Sequence, residues 1–238
     1  MTTLHLIRHG RASARDADYD RLHELGHEQA RLLGASLAAA VQRYDRVFVG
    51  PLTRQLDTLA TMREAAGSVG AGWPEAVVLE GLAEAPFEPL LKQHMVPRLP
   101  SDAKLQAQLE NIQAASDADA RATAMFELFE YMVALWLRGE VGQGLETAEA
   151  FRTRVEAAFE QILASAAAGE QVAVISSFGV IDHLLRGVAG LSPPPEHATM
   201  RLANASVSLL RRGATGALEV LFHNRVEHLP EPRLITML

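Results

Sequence analysis

The sequence predicts an α/β fold built on a largely parallel sheet with one antiparallel edge strand, and three observations carry that prediction. Short apolar runs alternate with longer stretches of helical periodicity along most of the 238 residues. The run Val172-Ala173-Val174-Ile175 is apolar without interruption, as a strand buried on both faces requires. Near the end, Ser206 to Leu210 and Leu218 to Phe222 flank the turn-rich stretch Arg211 to Gly216 and read as a hairpin.

In chain order, Leu4 to Ile7 reads as a buried strand, and Arg8, His9 and Gly10 arrive where it should end, the glycine releasing the backbone for a turn. Arg11 to Arg21, with Asp16, Asp18, Tyr19 and Asp20, is polar and reads as a loop. A helix is expected from about Leu25 to Val41, since Ala30, Leu33, Leu37 and Ala40 keep helical spacing. Arg46 to Val49 is a second strand, broken by Gly50-Pro51, and a helix follows from Pro51 or Leu52 to about Ala66. Gly67 to Pro74 reads as a glycine-rich loop and Ala76 to Leu79 as a third strand.

From Gly81 to Leu145 the pattern changes to proline-punctuated, then alanine-rich helical sequence, read as a helical insertion within a single domain spanning 1–238. Phe126, Phe129, Met132, Val133 and Trp136 give it one apolar helical face, a core stripe rather than a cofactor box. A long helix is expected from about Thr147 to Ala168, with Phe151, Val155, Phe159, Ile162 and Leu163 buried. Helix Val180 to Val188 follows the central strand, Ser192-Pro193-Pro194-Pro195 is a stiff surface connection, and the tail after Leu229, with two prolines, is expected on the surface.

Composition narrows the function. With 48% hydrophobic and 21% charged residues the chain is globular, and a net charge of −7 argues against general nucleic-acid binding. The absence of cysteine excludes disulfides, iron–sulfur clusters and thiolate zinc sites. No apolar run reaches the ~18 residues of a membrane span and no secretory pattern opens the sequence, so a cytoplasmic address without membrane partners is expected. No metal-ligand motif is present, and no cofactor is expected. The oligomeric state stays open, a homodimer among the options.

In open α/β sheets ligands sit beyond the carboxyl ends of the strands. The polar residues there are Arg8 and His9 after strand 1, Arg54 one helical turn after strand 2, Glu84 after strand 3, and Ser176 and Ser177 after the central strand. Two arginines, an imidazole and a carboxylic acid suit phosphoryl transfer: the arginines neutralise the phosphoryl group, the imidazole attacks phosphorus, and the acid protonates the leaving oxygen.

These residues sit in ordered segments that resemble the histidine phosphatase superfamily, which includes phosphoglycerate mutases. Leu6-Ile7-Arg8-His9-Gly10 resembles its signature, and Leu25-Gly26-His27-Glu28-Gln29-Ala30 its Leu-Thr-x-x-Gly-x-x-Gln-Ala segment. The stretch Gly50-Pro51-Leu52-Thr53-Arg54-Gln55-Leu56-Asp57-Thr58 resembles Ser-Pro-Leu-x-Arg-Ala-x-x-Thr, with Gly50 where serine is usual. Leu82-Ala83-Glu84, Gly144-Leu145-Glu146-Thr147 with Phe151 and Arg154, and Asn204-Ala205-Ser206-Val207 resemble later segments of the same pattern. The resemblance implies a three-layer sandwich with helices on both faces of the sheet and the helical insertion, at about 81–145, over the active site. It also implies a phosphohistidine on His9, Arg8 and Arg54 on the phosphoryl oxygens, and Glu84 as proton donor, with Glu80 and Glu88 as neighbouring candidates.

One departure bears on activity. The family pattern has Ser-His-Gly-Gly after the central strand, and here Ser176-Ser177-Phe178-Gly179 puts Ser177 where the second histidine donates to the phosphoryl group. Losing a charged donor costs ~3–4 kcal/mol of transition-state stabilisation, or about 10²–10³ in rate. His183 is expected to face elsewhere, and His197 or His223 are the histidines left to fold back. The leading expectation is a metal-independent phosphatase acting on a small phosphomonoester. The rival is a pseudo-enzyme that binds or senses a phosphorylated ligand, and a mutase comes third, kept open by Arg11 and Arg15.

Overall fold

The computed structural model of the protein describes residues 1–13, 20–191 and 200–237. Most of the Arg11–Arg21 stretch, Arg15 included, therefore lies outside the described residues, as do Ser192-Pro193-Pro194-Pro195 and His197. The described chain forms two compact units, one built from Met1–Glu84 and the segments beginning at Arg154 and Arg201, the other from Ala85–Thr153.

The first unit carries a six-stranded sheet. Its strands are β1 (Thr2–Arg8), β2 (Arg46–Val49), β3 (Ala76–Val78), β4 (Gln171–Ser176), β5 (Val207–Arg212) and β6 (Leu218–Arg225), in the order β3-β2-β4-β1-β5-β6. β3, β2, β4 and β1 run parallel, and β5 pairs antiparallel with both β1 and β6. The antiparallel strand thus lies one place in from the edge, because the hairpin adds β6 outside it. Alternation along the strands sends Ile7, Val47, Val49, Ala173 and Ile175 to one face and Leu4, Leu6, Phe48, Val172 and Val174 to the other, and all ten are buried.

On the first of these faces α1 (Glu24–Ala39) and α2 (Thr53–Ala66) contribute Ala30, Leu33, Leu59 and Met62 to the core, with Tyr44 and Trp73 at its edge. Gly67 ends α2 at φ 55°, and the expected loop after it contains a four-residue helix, α3 (Ser68–Ala71). Gly70 permits that turn: a Cβ there would lie 2.5 Å from the Arg63 carbonyl, so glycine here marked close packing rather than an open loop. The remaining helices of this unit include α9 (Phe178–Val188), which buries Val180, Ile181, Leu184 and Leu185.

The second unit is helical. It holds α4 (Phe87–Leu90), a π-helical turn over Leu91–Met95, α5 (Val96–Arg98), α6 (Ala103–Ala114) and α7 (Ala118–Leu137). Phe126, Met132, Val133 and Trp136 are buried, and Phe87 makes edge-on ring contacts with Phe129 at 4.9 Å and Trp136 at 5.9 Å, so the apolar stripe is a packing stripe. Helix α8 (Ala148–Ser165) buries Phe151, Val155, Phe159 and Ile162, as its spacing predicts, while Leu163, expected in the same stripe, is half-buried. No helix among the described residues is long and apolar enough to cross a membrane.

The tail after Leu229 lies largely on the surface, as expected, with Pro230, Glu231, Pro232, Arg233 and Ile235 exposed. Leu229 and Leu234 are buried, and the Thr236 carbonyl accepts from the Asn204 amide at 2.7 Å. Two isolated leucines and a run of main-chain acceptors tie this surface stretch down, because buried donors elsewhere need those carbonyls.

Candidate active site

Strand register brings the site together. Arg8 is opposite Ser176, and Val49 is opposite Ile175, so His9, Ser177 and Gly50 leave three adjacent parallel strands at their carboxyl ends. Their main chains remain stitched there, the His9 amide donating to the Ser176 carbonyl at 2.9 Å and the Gly50 amide to the Ile175 carbonyl at 3.1 Å. Gly10 allows α1 to start against this corner: a Cβ would collide with the Gly26 carbonyl, and one on Gly26 with the Arg11 carbonyl. The requirement on both glycines is a close backbone approach, not a turn dihedral.

His9 and Arg54 meet directly. Arg54 Nε donates to His9 Nε2 at 3.2 Å, and His9 Nδ1 lies 2.6 Å from the Gly10 carbonyl. Arginine only donates, so Nε2 is the acceptor and Nδ1 carries the proton. Burial holds the His9 pKa well below its usual value, assisted by the charges of Arg54 and then Arg8 and opposed by the Gly10 carbonyl. The ring is therefore neutral, with a defined tautomer and its Nε2 lone pair facing a guanidinium.

Arg54 leaves the first turn of α2, where Thr58 Oγ1 donates to its carbonyl at 2.6 Å and accepts from the Gly10 amide at 3.1 Å. Its Nη1 pairs with Asp20 Oδ1 at 2.8 Å, and Asp20 Oδ2 accepts from the Thr53 amide at 2.6 Å. Arg8, also buried, donates through Nη1 to the carbonyls of Leu202 and Met237, the latter at 2.6 Å, while its guanidinium lies 5.5 Å from the centroid of the Phe178 ring. Gln29 couples the tail to the same corner, donating to the Leu234 carbonyl and accepting from the Arg11 amide. Ala205, at φ 55°, turns its amide onto the His9 carbonyl at 3.1 Å.

Glu84 reaches the start of α9, where its carboxylate accepts from the Gly179 amide at 3.1 Å. Its loop is held by Arg154, whose guanidinium donates to the carbonyls of Gly81, Ala83 and Glu84 at 3.0, 2.8 and 3.1 Å. Ser176 Oγ donates to the Leu82 carbonyl at 2.8 Å. Of the neighbouring acids, Glu88 pairs with Lys92 and Glu80 is exposed in a 3₁₀ turn. Ser177 is fully buried and accepts at Oγ from Gln55 Nε2 at 2.8 Å. His183 bonds Glu156 and His223 is exposed on β6, so neither supplies a second imidazole.

Sequence reasoning placed Arg8, His9, Arg54, Glu84 and Ser177 but gave no role to Asp20, Gln29, Gln55, Thr58, Arg154 or the tail. Gln29, Thr58 and Arg154 carried a signal through the motif segments in which they stand, and Gln55 did so as a departure from its segment. Among the described residues no three histidine, aspartate or glutamate side chains gather as a metal site. Chemically, the corner offers a neutral imidazole base flanked by two buried guanidinium groups and a carboxyl group at a helix start, a combination suited to an anionic, electrophilic group.

The family model described as the histidine phosphatase superfamily (branch 1) matches residues 4–96 and 124–225. Among solved structures, phosphoserine phosphatase from Entamoeba histolytica in complex with 3-phosphoglyceric acid superposes with a TM-score of 0.60 at 19% identity, covering 96% of this chain and 100% of that one. A mycobacterial glucosyl-3-phosphoglycerate phosphatase gives 0.59 at 19% identity, over 93% and 98%. Phosphoglycerate mutase from Bacillus anthracis gives 0.58 at 18% identity, over 95% and 94%. No curated protein matches the sequence.

Proposed function

The chain belongs to the histidine phosphatase superfamily, and from that premise we propose that it hydrolyses a small phosphomonoester through a phosphohistidine on His9. The observation that carries this reading is the His9–Arg54 contact: a neutral imidazole whose Nε2 lone pair faces the guanidinium that would hold the phosphoryl oxygens. The substrate phosphoryl group enters between them, with Arg8 and Arg54 neutralising its oxygens. Nε2 attacks phosphorus as the ester P–O bond breaks, and Glu84 delivers a proton to the departing oxygen. Water then attacks the phosphohistidine, Glu84 takes its proton, and inorganic phosphate and free His9 are restored. Ser177 donates to the same phosphoryl group as a neutral hydroxyl.

Small phosphorylated metabolites are the substrate class favoured by the neighbours, whose names specify phosphoserine and glucosyl-3-phosphoglycerate as substrates. The test is a panel of phosphomonoesters with acid-quench trapping of labelled phosphoenzyme, on the parent and on His9→Ala. Turnover and a trapped phosphoryl group that both disappear in His9→Ala support the reading. Phosphate-ester binding without either would identify a binding or sensing protein instead.

A further inference from the structure

Three departures from the family pattern converge on one spot: Gly50 replaces serine, Gln55 replaces alanine and Ser177 replaces histidine. The Gln55 side chain is fully buried and fully committed. Its Oε1 accepts from the Leu52 amide at 3.1 Å, and its Nε2 donates to the Leu82 carbonyl at 3.1 Å and to Ser177 Oγ at 2.8 Å. With both amide protons used, Gln55 has none left for a ligand. Gly50 makes room for it, since a Cβ there would collide with Gln55 Oε1 and lie 2.7 Å from both its Cδ and the Leu82 carbonyl.

Ser177 behaves unusually for a residue that begins a helix. Serine at this position normally accepts from the helix's own amides, but Ser177 makes no such bond, and the Gly179 amide goes to Glu84. The Ser177 oxygen is occupied by Gln55, and its hydroxyl proton has no acceptor among the described residues although the oxygen is buried. A buried hydroxyl with its oxygen satisfied and its proton unspent is a donor awaiting a ligand. Donation from Gln55 also polarises it.

We propose that Gly50, Gln55 and Ser177 form one unit that replaces the missing second histidine, with Gln55 as the positioning residue that turns the Ser177 hydroxyl proton toward the phosphoryl oxygens. This rests on the phosphatase reading above and goes beyond it by assigning Gln55 and Gly50. The donor so formed carries no charge and does not titrate near neutrality. A lone Ser177→His change brings an imidazole against the Gln55 amide, whereas the same change with Gln55→Ala restores the family arrangement.

The test measures orthovanadate affinity by calorimetry and steady-state rates with p-nitrophenyl phosphate, with thermal melts to confirm folding. Ser177→Ala and Gln55→Met, the latter preserving volume without donors, should each weaken vanadate binding about tenfold, the scale of one lost hydrogen bond. Their combination should be no weaker than either alone. Gly50→Ser should produce the same loss in the parent and a clearly smaller one in the Gln55→Ala background, where only the contact with the Leu82 carbonyl remains, a dependence that a merely structural glycine would not show. Parent-like vanadate binding by Ser177→Ala, or full additivity of the pair, overturns the unit while leaving the phosphatase reading intact. A parent protein that neither binds vanadate nor forms a phosphoenzyme overturns both.

Discussion

Arg154→Ala is the perturbation that best separates holding the acid from being the acid. Arg154 lies half-buried on α8 and spends its guanidinium on three carbonyls of the loop that ends at Glu84. Hydrogen bonds from a charged donor contribute about 1.5–3 kcal/mol each, but these share one donor and water can re-solvate part of the vacated surface. The net loss should therefore fall near ~2–4 kcal/mol, readable as a lower melting temperature. With the loop released, Glu84 spends less time where a departing oxygen would be. An alkyl phosphomonoester, whose leaving group needs the proton, should lose about 10–100-fold in kcat/KM, and p-nitrophenyl phosphate much less. Arg154→Lys should fall between, since one ammonium cannot serve three carbonyls in a plane. An unchanged melting temperature would refute the restraint itself. A drop in stability with equal losses on both substrates would refute the link to the acid.

Four further outcomes follow from the same structure. Glu84→Gln should slow alkyl phosphates more than p-nitrophenyl phosphate while leaving the Arg154 bonds and the melting temperature near parent values; equal losses on the two substrates would remove Glu84 as the proton donor. Because the His9 pKa lies well below 6.5, kcat/KM should show no His-type fall between pH 8 and 6.5, and a limb centred near 6.5 would contradict a buried neutral nucleophile. Stability should drop as pH falls from about 6.5 toward 4, since His5 and His228, held near 4 in the fold by burial, bind protons more readily once unfolded; for His5 alone this amounts to ~2 kcal/mol at pH 5, and a melting temperature flat from pH 7 to 5 would count against it. Activity should survive exhaustive chelation, because in the proposed mechanism Arg8 and Arg54 supply the positive charge a metal would bring; loss with EDTA and recovery with a divalent ion would contradict this.

The sheet and the meeting of His9 with Arg54 were legible because strand periodicity fixes where each strand ends, and chemistry collects at parallel strand ends. The Gln55–Ser177 bond was not, since it joins residues 122 positions apart through a rotamer that no local pattern encodes. Gly10 and Gly26 were visible as glycines, yet their reason, two backbones in contact, needed both partners in place. The anchoring of the tail was not legible, because Leu229 and Leu234 are too isolated to form a periodic signal. Its contribution comes through carbonyls, which every sequence has.

The bonds that hold Arg8 also set the order in which a working molecule can come into being. β1 is made before the other strands of its sheet, but Thr3 finds its partner Gln171 168 positions later, and Arg8 finds Leu202 and Met237 after 194 and 229. At about 5–20 residues per second on the ribosome, this apolar strand waits roughly ten to thirty seconds before its first neighbour in the sheet is made. During that interval both edges of β1 are unpaired, a template for strand exchange between nascent chains. His9 is thus made before most of the residues that secure its strand, so losses in expression should concentrate in newly made chains rather than in the finished fold.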